Sequence, residues 1–245
     1  MVQKYVGGWP LLARWTTDWD CDHETNWWYV IKDTPFDISS LKAKRRYEIT
    51  KGNKFFDVKI INPVDNVDGI YQVTIAAYTG WPEKYRPAVT REQIQEAVKT
   101  WKEFMVFGAF SRDDGSFKGY AVVEEYREYA AFSILRTNPE AEKQGINAAI
   151  VYSILSAFND RLCEGFYICD GARTIRHETA FQDYLEKYFA FKKSYSNLGI
   201  RYRTVIGLAV NVIYPFRKLI KSDSGIGSQV SGILKMEELV RTSRL

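Results

Sequence analysis

The chain has 245 residues, of which 46% are hydrophobic and 26% charged, and its formal net charge is +4. This composition is ordinary for a folded globular protein, and the charge is too modest for a dedicated DNA-binding protein. Three cysteines without CxxC spacing give no disulfide framework or zinc site, so we expect reduced thiols, no metal and a cytoplasmic protein.

The first predicted section, residues 1–60, is an aromatic and basic extension that packs on the rest of the chain. Within it, "WWYVIK" predicts a strand because aromatic and β-branched residues favour extended backbone. The segment "DISSLKAKRRYEITKG" predicts a basic helix that starts near Ser39 or Ser40 and ends at Gly52. "FDVKIINP" predicts a further strand, which ends at its proline.

The second section, residues 61–215, alternates helical and strand patterns. "DNVDGIYQVTIAAY" predicts a helix, and "TREQIQEAVKTWKEF" predicts another, in which Thr90 and Gln93 form a capping box. The remaining segments read as three strands, a helix, a strand, a helix and a long strand, which are "FMVFGAF", "FKGYAVVEEY", "YAAFSIL", "INAAIVYSILSAFNDRL", "GFYICDG", "ETAFQDYLEKYF" and "SNLGIRYRTVIGLAV". The third section, residues 216–245, predicts a Gly/Ser linker and a short helix.

This order of elements predicts an α/β (α+β) fold in which helices flank one mixed sheet whose first half is antiparallel. It resembles the GNAT acyltransferases, whose central sheet splays open to admit the pantetheine arm of an acyl-CoA. "AFQDYLEKYFAFKKSY" is similar to the last helix and strand of that family, with Ala190-Phe191 at the place of a Gly-Phe pair. "LKAKRRYEITKGNKFFDVKII" looks like the basic lead-in of the FemAB-like branch, which transfers aminoacyl or acyl groups.

The resemblance implies where an acyl-CoA, carrying acetyl or a longer acyl group, is held. In the family's donor loop a Gln or Arg is followed after two residues by Gly, and this loop opens a helix. The matching segment "EKQGINAA" has Glu142 at the first of these positions. Free backbone N–H groups at a helix start bind phosphate. Five residues are then the donor-loop candidates, namely Lys143, Gln144, Gly145, Ile146 and Asn147.

The strand before this loop would contact the pantetheine through backbone amides, which the resemblance places at Leu135, Arg136 and Thr137. The alternative for both segments is structural. A glycine before an apolar helix commonly marks only the boundary between two secondary-structure elements, and Thr137 can cap the end of a strand.

Acyl transfer to an amine needs a base for the amine proton and a proton donor for the leaving thiolate. Histidine has an ordinary pKa near neutrality, so His177 is a predicted base, and Asp170 is placed to orient it. Arg173 and Arg176 are predicted to hold an anionic acceptor. The alternative for His177 is a helix cap or a surface residue.

Tyr184 is the nearest analogue of the tyrosine that protonates the thiolate in the family, and its alternative is a place in an apolar core stripe. Glu124 and Glu125 are further candidate bases. Because consecutive residues of a strand point to opposite faces, at most one of these glutamates faces the acceptor.

We therefore predict a cytoplasmic N-acyltransferase that uses acyl-CoA and acts on the amine of a small molecule or of a cell-envelope or polysaccharide precursor. One alternative is a FemAB-like transferase that takes its group from aminoacyl-tRNA, and another is an inactive GNAT-fold binding module. The basic helix, with Lys44 and Arg45, has three interpretations: a solvated face, which is the default, a docking patch for a phosphate-rich acceptor such as a nucleotide sugar, a lipid-linked sugar or a tRNA, and, together with Arg217, Lys218 and Lys221, peripheral contact with the inner face of a membrane.

Overall fold

The structure is a computed structural model that describes residues 11–80, 83, 86–162, 165–174, 180–220 and 225–242. Contacts divide the chain into two compact units. The larger unit consists of Ile31–Gly171 and Tyr184–Phe191, and the smaller one of Met1–Val30, Ala172–Asp183 and Lys192–Leu245. Each unit combines segments that are far apart in the sequence. The division of the chain into sections 1–60, 61–215 and 216–245 therefore stays a prediction.

The described elements run in chain order as β1 (Leu12–Thr17), β2 (Trp27–Lys32), α1 (Ala43–Phe55), β3 (Phe56–Ile60), α2 (Val67–Tyr78), α3 (Arg91–Thr100), β4 (Met105–Ser111), β5 (Phe117–Glu125), β6 (Tyr129–Thr137), α4 (Pro139–Glu142), α5 (Ile146–Leu162), β7 (Tyr167–Ala172), α6 (Ala180–Phe189), β8 (Lys192–Tyr202), α7 (Thr204–Ile213) and α8 (Gly225–Thr242). Short 3-10 turns lie at Ile38–Ser40, Pro63–Asn66 and Tyr214–Leu219. None of the described helices is both long and apolar enough to cross a membrane.

In the larger unit the strands are ordered β7-β6-β5-β4-β3. The pairs β3–β4, β4–β5 and β5–β6 are antiparallel, whereas β6 and β7 run parallel. In the smaller unit β1 pairs antiparallel with β8, and β8 neighbours β2. The predicted α/β class, with a mixed sheet flanked by helices and antiparallel in its first half, is confirmed.

The parallel pair β6–β7 is joined over only part of its length. Within the described residues its register holds at three positions, where Tyr129, Ala130 and Ala131 face β7. β6 nevertheless continues to Thr137 and stays paired with β5, with a register shift between Val122 and Val123. The second half of β6 therefore offers one backbone edge that β7 does not cover, which is the predicted splay.

Two glycines let α1 and the start of α5 approach each other closely. A Cβ built on Gly52 would lie 2.3 Å from the carbonyl oxygen of Gly145, and one on Gly145 would lie 3.0 Å from that of Glu48. Gly145 also has a φ of +84°, a backbone conformation that glycine adopts at little cost. The prediction that Gly52 ends the basic helix is wrong, because the helix continues to Phe55 and Gly52 serves this packing.

The end of α6 explains the Ala-Phe pair noted in the sequence. Ala190 has a φ of +54°, in the left-handed region, and the Phe191 N–H donates to the Leu185 carbonyl at 3.4 Å. A left-handed residue directly after the last helical residue is a common way for a helix to end. Ala190 thus occupies a position whose backbone favours glycine, and glycine is the residue at this place in the family that the sequence resembles.

The predicted long strand "SNLGIRYRTVIGLAV" is wrong in its second half, because β8 ends at Tyr202 and α7 follows at once. The apolar, β-branched residues of this run suit a buried strand as well as a helix, so local pattern does not separate the two. The C-terminal helix is also longer than predicted, since α8 has 18 residues.

Candidate functional site

A cleft of about 390 Å³ lies in the larger unit, beside the uncovered edge of β6. It is lined by the ends of four elements, α2, β6, α4 and α5, through Ala77, Tyr78, Ser133, Ile134, Leu135, Arg136, Thr137, Glu142 and Asn147. Three predicted strand contacts, Leu135 to Thr137, and one predicted loop residue, Asn147, therefore come together in one place.

Arg136 is fixed in this cleft by the last residue of α2. Its guanidinium carbon lies 4.6 Å from the centre of the Tyr78 ring, and Nη1 donates a hydrogen bond to the Tyr78 hydroxyl. The Arg136 Nε is buried and has no hydrogen-bond partner among the described residues. Since a buried donor is costly to leave unsatisfied, this N–H is suited to a carbonyl or phosphate oxygen of a ligand.

The lining of the cleft also includes an acid. Glu142 is the last residue of α4 and lines the cleft together with Asn147 at the start of α5. Asn147 is held there by Thr137, whose hydroxyl donates to the Asn147 Oδ1 at 3.2 Å. The cleft thus offers a cation at one place and a carboxylate at another, and a ligand with charges of both signs would be complementary to it.

The rest of the predicted donor loop faces elsewhere. Ile146 is fully buried, and the Lys143 carbonyl accepts a hydrogen bond of 2.6 Å from the Lys51 ammonium. Gln144 lines a second cleft of about 550 Å³, whose charged residues are of both signs. They are Lys54, Arg112, Asp113, Asp114, Lys118 and Glu140. The loop is therefore divided between two clefts, and Gly145 forms the sharp bend between them.

Glu124 is the candidate base that the structure brings beside the β6 edge. Its carboxylate accepts hydrogen bonds from the Ser133 hydroxyl at 2.8 Å and from the Tyr126 hydroxyl at 2.6 Å. Ser133 itself lines the 390 Å³ cleft. The hydrogen bond to Glu124 is the main cause that raises the pKa of Tyr126 to about 12, so Tyr126 stays a donor at neutral pH. Glu125 instead pairs with Arg161.

The other predicted residues are not among those that line this cleft, or they fall outside the described residues. Arg176 and His177 are outside the described residues. Asp170 lies on β7 in the larger unit. In the smaller unit the Arg173 guanidinium stacks over the Trp28 ring at 4.2 Å and donates through Nη1 to the Asn26 carbonyl. Burial lowers the pKa of Arg173.

Tyr184 packs among aromatic rings of α6, 4.9 Å from Tyr188 and 5.6 Å from Phe189 by ring centres. Burial raises the pKa of Tyr184, which keeps its hydroxyl protonated. This is the state that a proton donor needs, although Tyr184 is not one of the residues that line the cleft.

The described cysteines and acidic residues bear on redox and metal chemistry. Cys21 and Cys169 carry free thiols, and burial raises the pKa of Cys169 to about 11. Within the described ranges, no group of three or more His, Cys, Asp and Glu side chains is arranged to hold a metal ion.

Sequence reasoning did not find Tyr78 and Ser133. The Tyr78 contact with Arg136 spans 58 residues, and the Ser133 contact with Glu124 depends on the register of β5 and β6. Neither contact can be predicted from a local sequence pattern. A hydroxyl residue inside an apolar strand was the one available signal for Ser133.

Comparison with known proteins gives a likeness of fold. No family model matches the chain, and no curated protein matches it by sequence. Among solved structures it is similar to L-PGS from Bacillus licheniformis, at a TM-score of 0.50 and 13% identity over 85% of this chain and 67% of that one. It is equally similar to the C-terminal domain of a protein described as a lysylphosphatidylglycerol synthetase from Agrobacterium fabrum, over 83% and 66%.

The chain thus spans about two thirds of the length of those structures. A smaller part, 43% of the chain, matches an N-acetyltransferase from Thermoplasma acidophilum in complex with coenzyme A, at 13% identity and a TM-score of 0.35. At 13% identity, the likeness to the first two structures shows a shared fold.

Proposed function

We propose that the protein is a GNAT-like N-acyltransferase that moves an acyl group from acyl-CoA to an amine. The observation that carries this proposal is the parting of β6 from β7 beside a cleft lined by Leu135, Arg136 and Thr137. An uncovered strand edge offers amide and carbonyl groups in a row, and the amides of a pantetheine arm can pair with such an edge as an added strand does.

The residues of the cleft fit the arm of such a donor. The buried Nε of Arg136 supplies a hydrogen-bond donor, and the Tyr78 ring fixes that guanidinium in place. Acyl-CoA would supply an activated thioester. The residues of this chain would orient the thioester and transfer protons. Lys143, Gln144, Gly145, Ile146 and Asn147 remain the proposed phosphate-binding loop.

In the proposed reaction the amine nitrogen attacks the thioester carbonyl carbon, a C–N bond forms and the C–S bond breaks. Glu124 is the proposed base for the amine proton, and its support is that its carboxylate accepts a hydrogen bond from Ser133, which lines the cleft. Tyr184 would return a proton to the thiolate. His177 and Asp170 stay the alternative base and its orienting acid.

The proposed acceptor is a small molecule or a cell-envelope or polysaccharide precursor that carries an amine, encountered in the cytoplasm. Arg173 and Arg176 are proposed to hold its anionic group. Within the described part of the chain the Arg173 Nε has no hydrogen-bond partner, which supports a role for this guanidinium in binding an anion.

A second candidate donor is aminoacyl-tRNA, as in the FemAB-like branch, and the position of Glu142 favours it. A carboxylate on the cleft wall repels the phosphates of CoA but attracts the α-ammonium group of an aminoacyl ester. One of the similar structures is named as the C-terminal domain of a lysylphosphatidylglycerol synthetase, and a lysyl group is an aminoacyl group. The basic helix α1 would then contact the tRNA backbone.

One experiment separates the two donors. The thermal stability of the protein is measured with acetyl-CoA and with longer acyl-CoAs, and retention of charged tRNA is measured at low and high salt. Glu142→Gln should strengthen CoA binding if CoA is the donor, and should weaken retention of charged tRNA if tRNA is. Arg136→Gln should reduce binding of either donor.

Arg91→Gln is the matched control, because Arg91 pairs with the exposed Asp68 and does not line the cleft. No stabilisation by any acyl-CoA refutes the first version of the proposal. If charged tRNA is not retained either, the transferase proposal fails and an inactive binding module is left.

A further inference from the structure

The smaller unit carries an exposed apolar stripe along α7 and the 3-10 turn after it. Val205, Leu208 and Val212 follow helical spacing, and Phe216 and Leu219 extend the series. These five side chains, the α7 stripe, are between 59% and 78% exposed. An accumulation of large apolar side chains on one surface is uncommon in a protein that works only in water, and it marks a place of interaction.

The other side of this segment is packed, so the stripe is held in a fixed orientation. Val210 is buried, and Arg241 of α8 stacks over the Tyr214 ring at 4.0 Å and donates to the Asn211 side chain at 2.7 Å. Arg217 donates to the Glu238 carboxylate at 3.0 Å. α8 therefore anchors α7 and the turn from one side and leaves the stripe on the other.

The charges that flank the stripe along the chain are all positive, and the two acids of α8 that contact this region, Glu237 and Glu238, pair with Arg241 and Arg217. The sequence contains no Asp or Glu between Glu186 and Asp223. Arg201 and Arg203 are exposed just before α7, and Lys218 is exposed within the turn that follows it. Apolar side chains flanked by cations are complementary to a layer of anionic headgroups over hydrocarbon.

We propose that the α7 stripe docks on an anionic lipid bilayer, with α7 lying parallel to the surface. α7 has ten residues, a length that suits an interfacial position. A second copy of the chain fits the surface less well, because a two-fold contact through the stripe would bring the flanking cations of both copies together. This docking surface is additional to the proposed transfer reaction and does not depend on it.

The test is sedimentation of the full chain with vesicles of phosphatidylcholine alone or with phosphatidylglycerol added. We expect binding to the anionic vesicles, weaker binding at high salt, and little binding to the neutral ones. The double variant Leu208→Gln/Leu219→Gln should bind anionic vesicles about tenfold more weakly. Both side chains are exposed, so these changes should leave the thermal midpoint unaltered.

The matched control is Ile60→Gln/Val64→Gln, which removes two exposed apolar side chains from the larger unit and should bind as the natural sequence does. Arg201→Gln/Lys218→Gln should remove most of the salt dependence. The proposal is overturned by equal binding to neutral vesicles or by an equal loss in the control. It is also overturned if light scattering shows a dimer that the Leu208→Gln/Leu219→Gln variant dissociates, since the stripe would then bind a second copy.

Discussion

The contact between Gly52 and Gly145 gives a sharp test of the packing that positions the cleft. Gly52→Ala adds one methyl group inside α1. In an exposed helix this change stabilises by about 1 kcal/mol, because alanine has the higher helix propensity. Here the added Cβ would lie 2.3 Å from the Gly145 carbonyl oxygen and 3.1 Å from the backbone nitrogen of Ala149.

Backbone atoms cannot rotate away as a flexible side chain can, so α1 and α5 must separate. Overpacking of this kind costs about 1–3 kcal/mol, and a close backbone contact belongs at the upper end. After the gain in propensity, we expect a net loss of about 1–2 kcal/mol. For a chain of this size that lowers the thermal midpoint by about 2–8 °C.

The assay is thermal and urea unfolding of Gly52→Ala beside Gly80→Ala. A Cβ on Gly80 meets no atom within 4 Å, so that control should stay within about 0.5 kcal/mol of the natural sequence. If Gly52→Ala is as stable as the natural sequence or more stable, the close approach of the two helices is not a constraint and the reasoning is refuted.

Three further predictions concern other parts of the larger unit. Glu124→Gln should slow acyl transfer by about 10²–10⁴-fold with donor binding retained, and an unchanged turnover would exclude Glu124 as the base. Tyr120→Phe should cost about 1 kcal/mol in urea unfolding, because the buried Tyr120 hydroxyl donates to the Thr74 Oγ1 at 2.8 Å while Thr74 donates to Ile70. Burial also raises the pKa of Tyr120 above its value in the unfolded chain. The neutral hydroxyl therefore contributes stability that is complete below about pH 10 and is lost as the pH rises above that value. Tyr120→Phe should make the free energy of unfolding less dependent on pH in this range. Ala190→Gly should raise stability by about 1 kcal/mol, since Ala190 holds a left-handed backbone; a lower thermal midpoint would contradict this.

Sequence patterns predicted the structure correctly where the stabilising contacts lie within a single element. The capping box of Thr90 and Gln93 is present at the start of α3, with both of its hydrogen bonds. The α2 helix forms despite its β-branched residues, because Ile70, Val73 and Thr74 are buried on one face. In both cases the signal lies within one helix, and helical spacing is enough to predict it.

The site was predictable only in part. Leu135, Arg136, Thr137 and Asn147 were placed by resemblance, and they do line one cleft. The partner that fixes Arg136 could not be found, because the Tyr78 contact follows from how α2 lies on the sheet. The register that brings Ser133 to Glu124 likewise depends on a shift in the β5–β6 pairing. Such information is long-range, and periodicity does not encode it.

The pairing of β1 with β8 has a consequence for how the chain folds during synthesis. Thr17 lies opposite Asn197, so β1 leaves the ribosome long before its partner strand exists. At about 5–20 residues per second, the intervening chain takes roughly 10 to 40 s to make. Ile31–Gly171, the main part of the larger unit, is synthesised before β8 and can fold first. The smaller unit then forms late around a strand that was made early, so the β1 edge that pairs with β8 stays unpaired until β8 emerges.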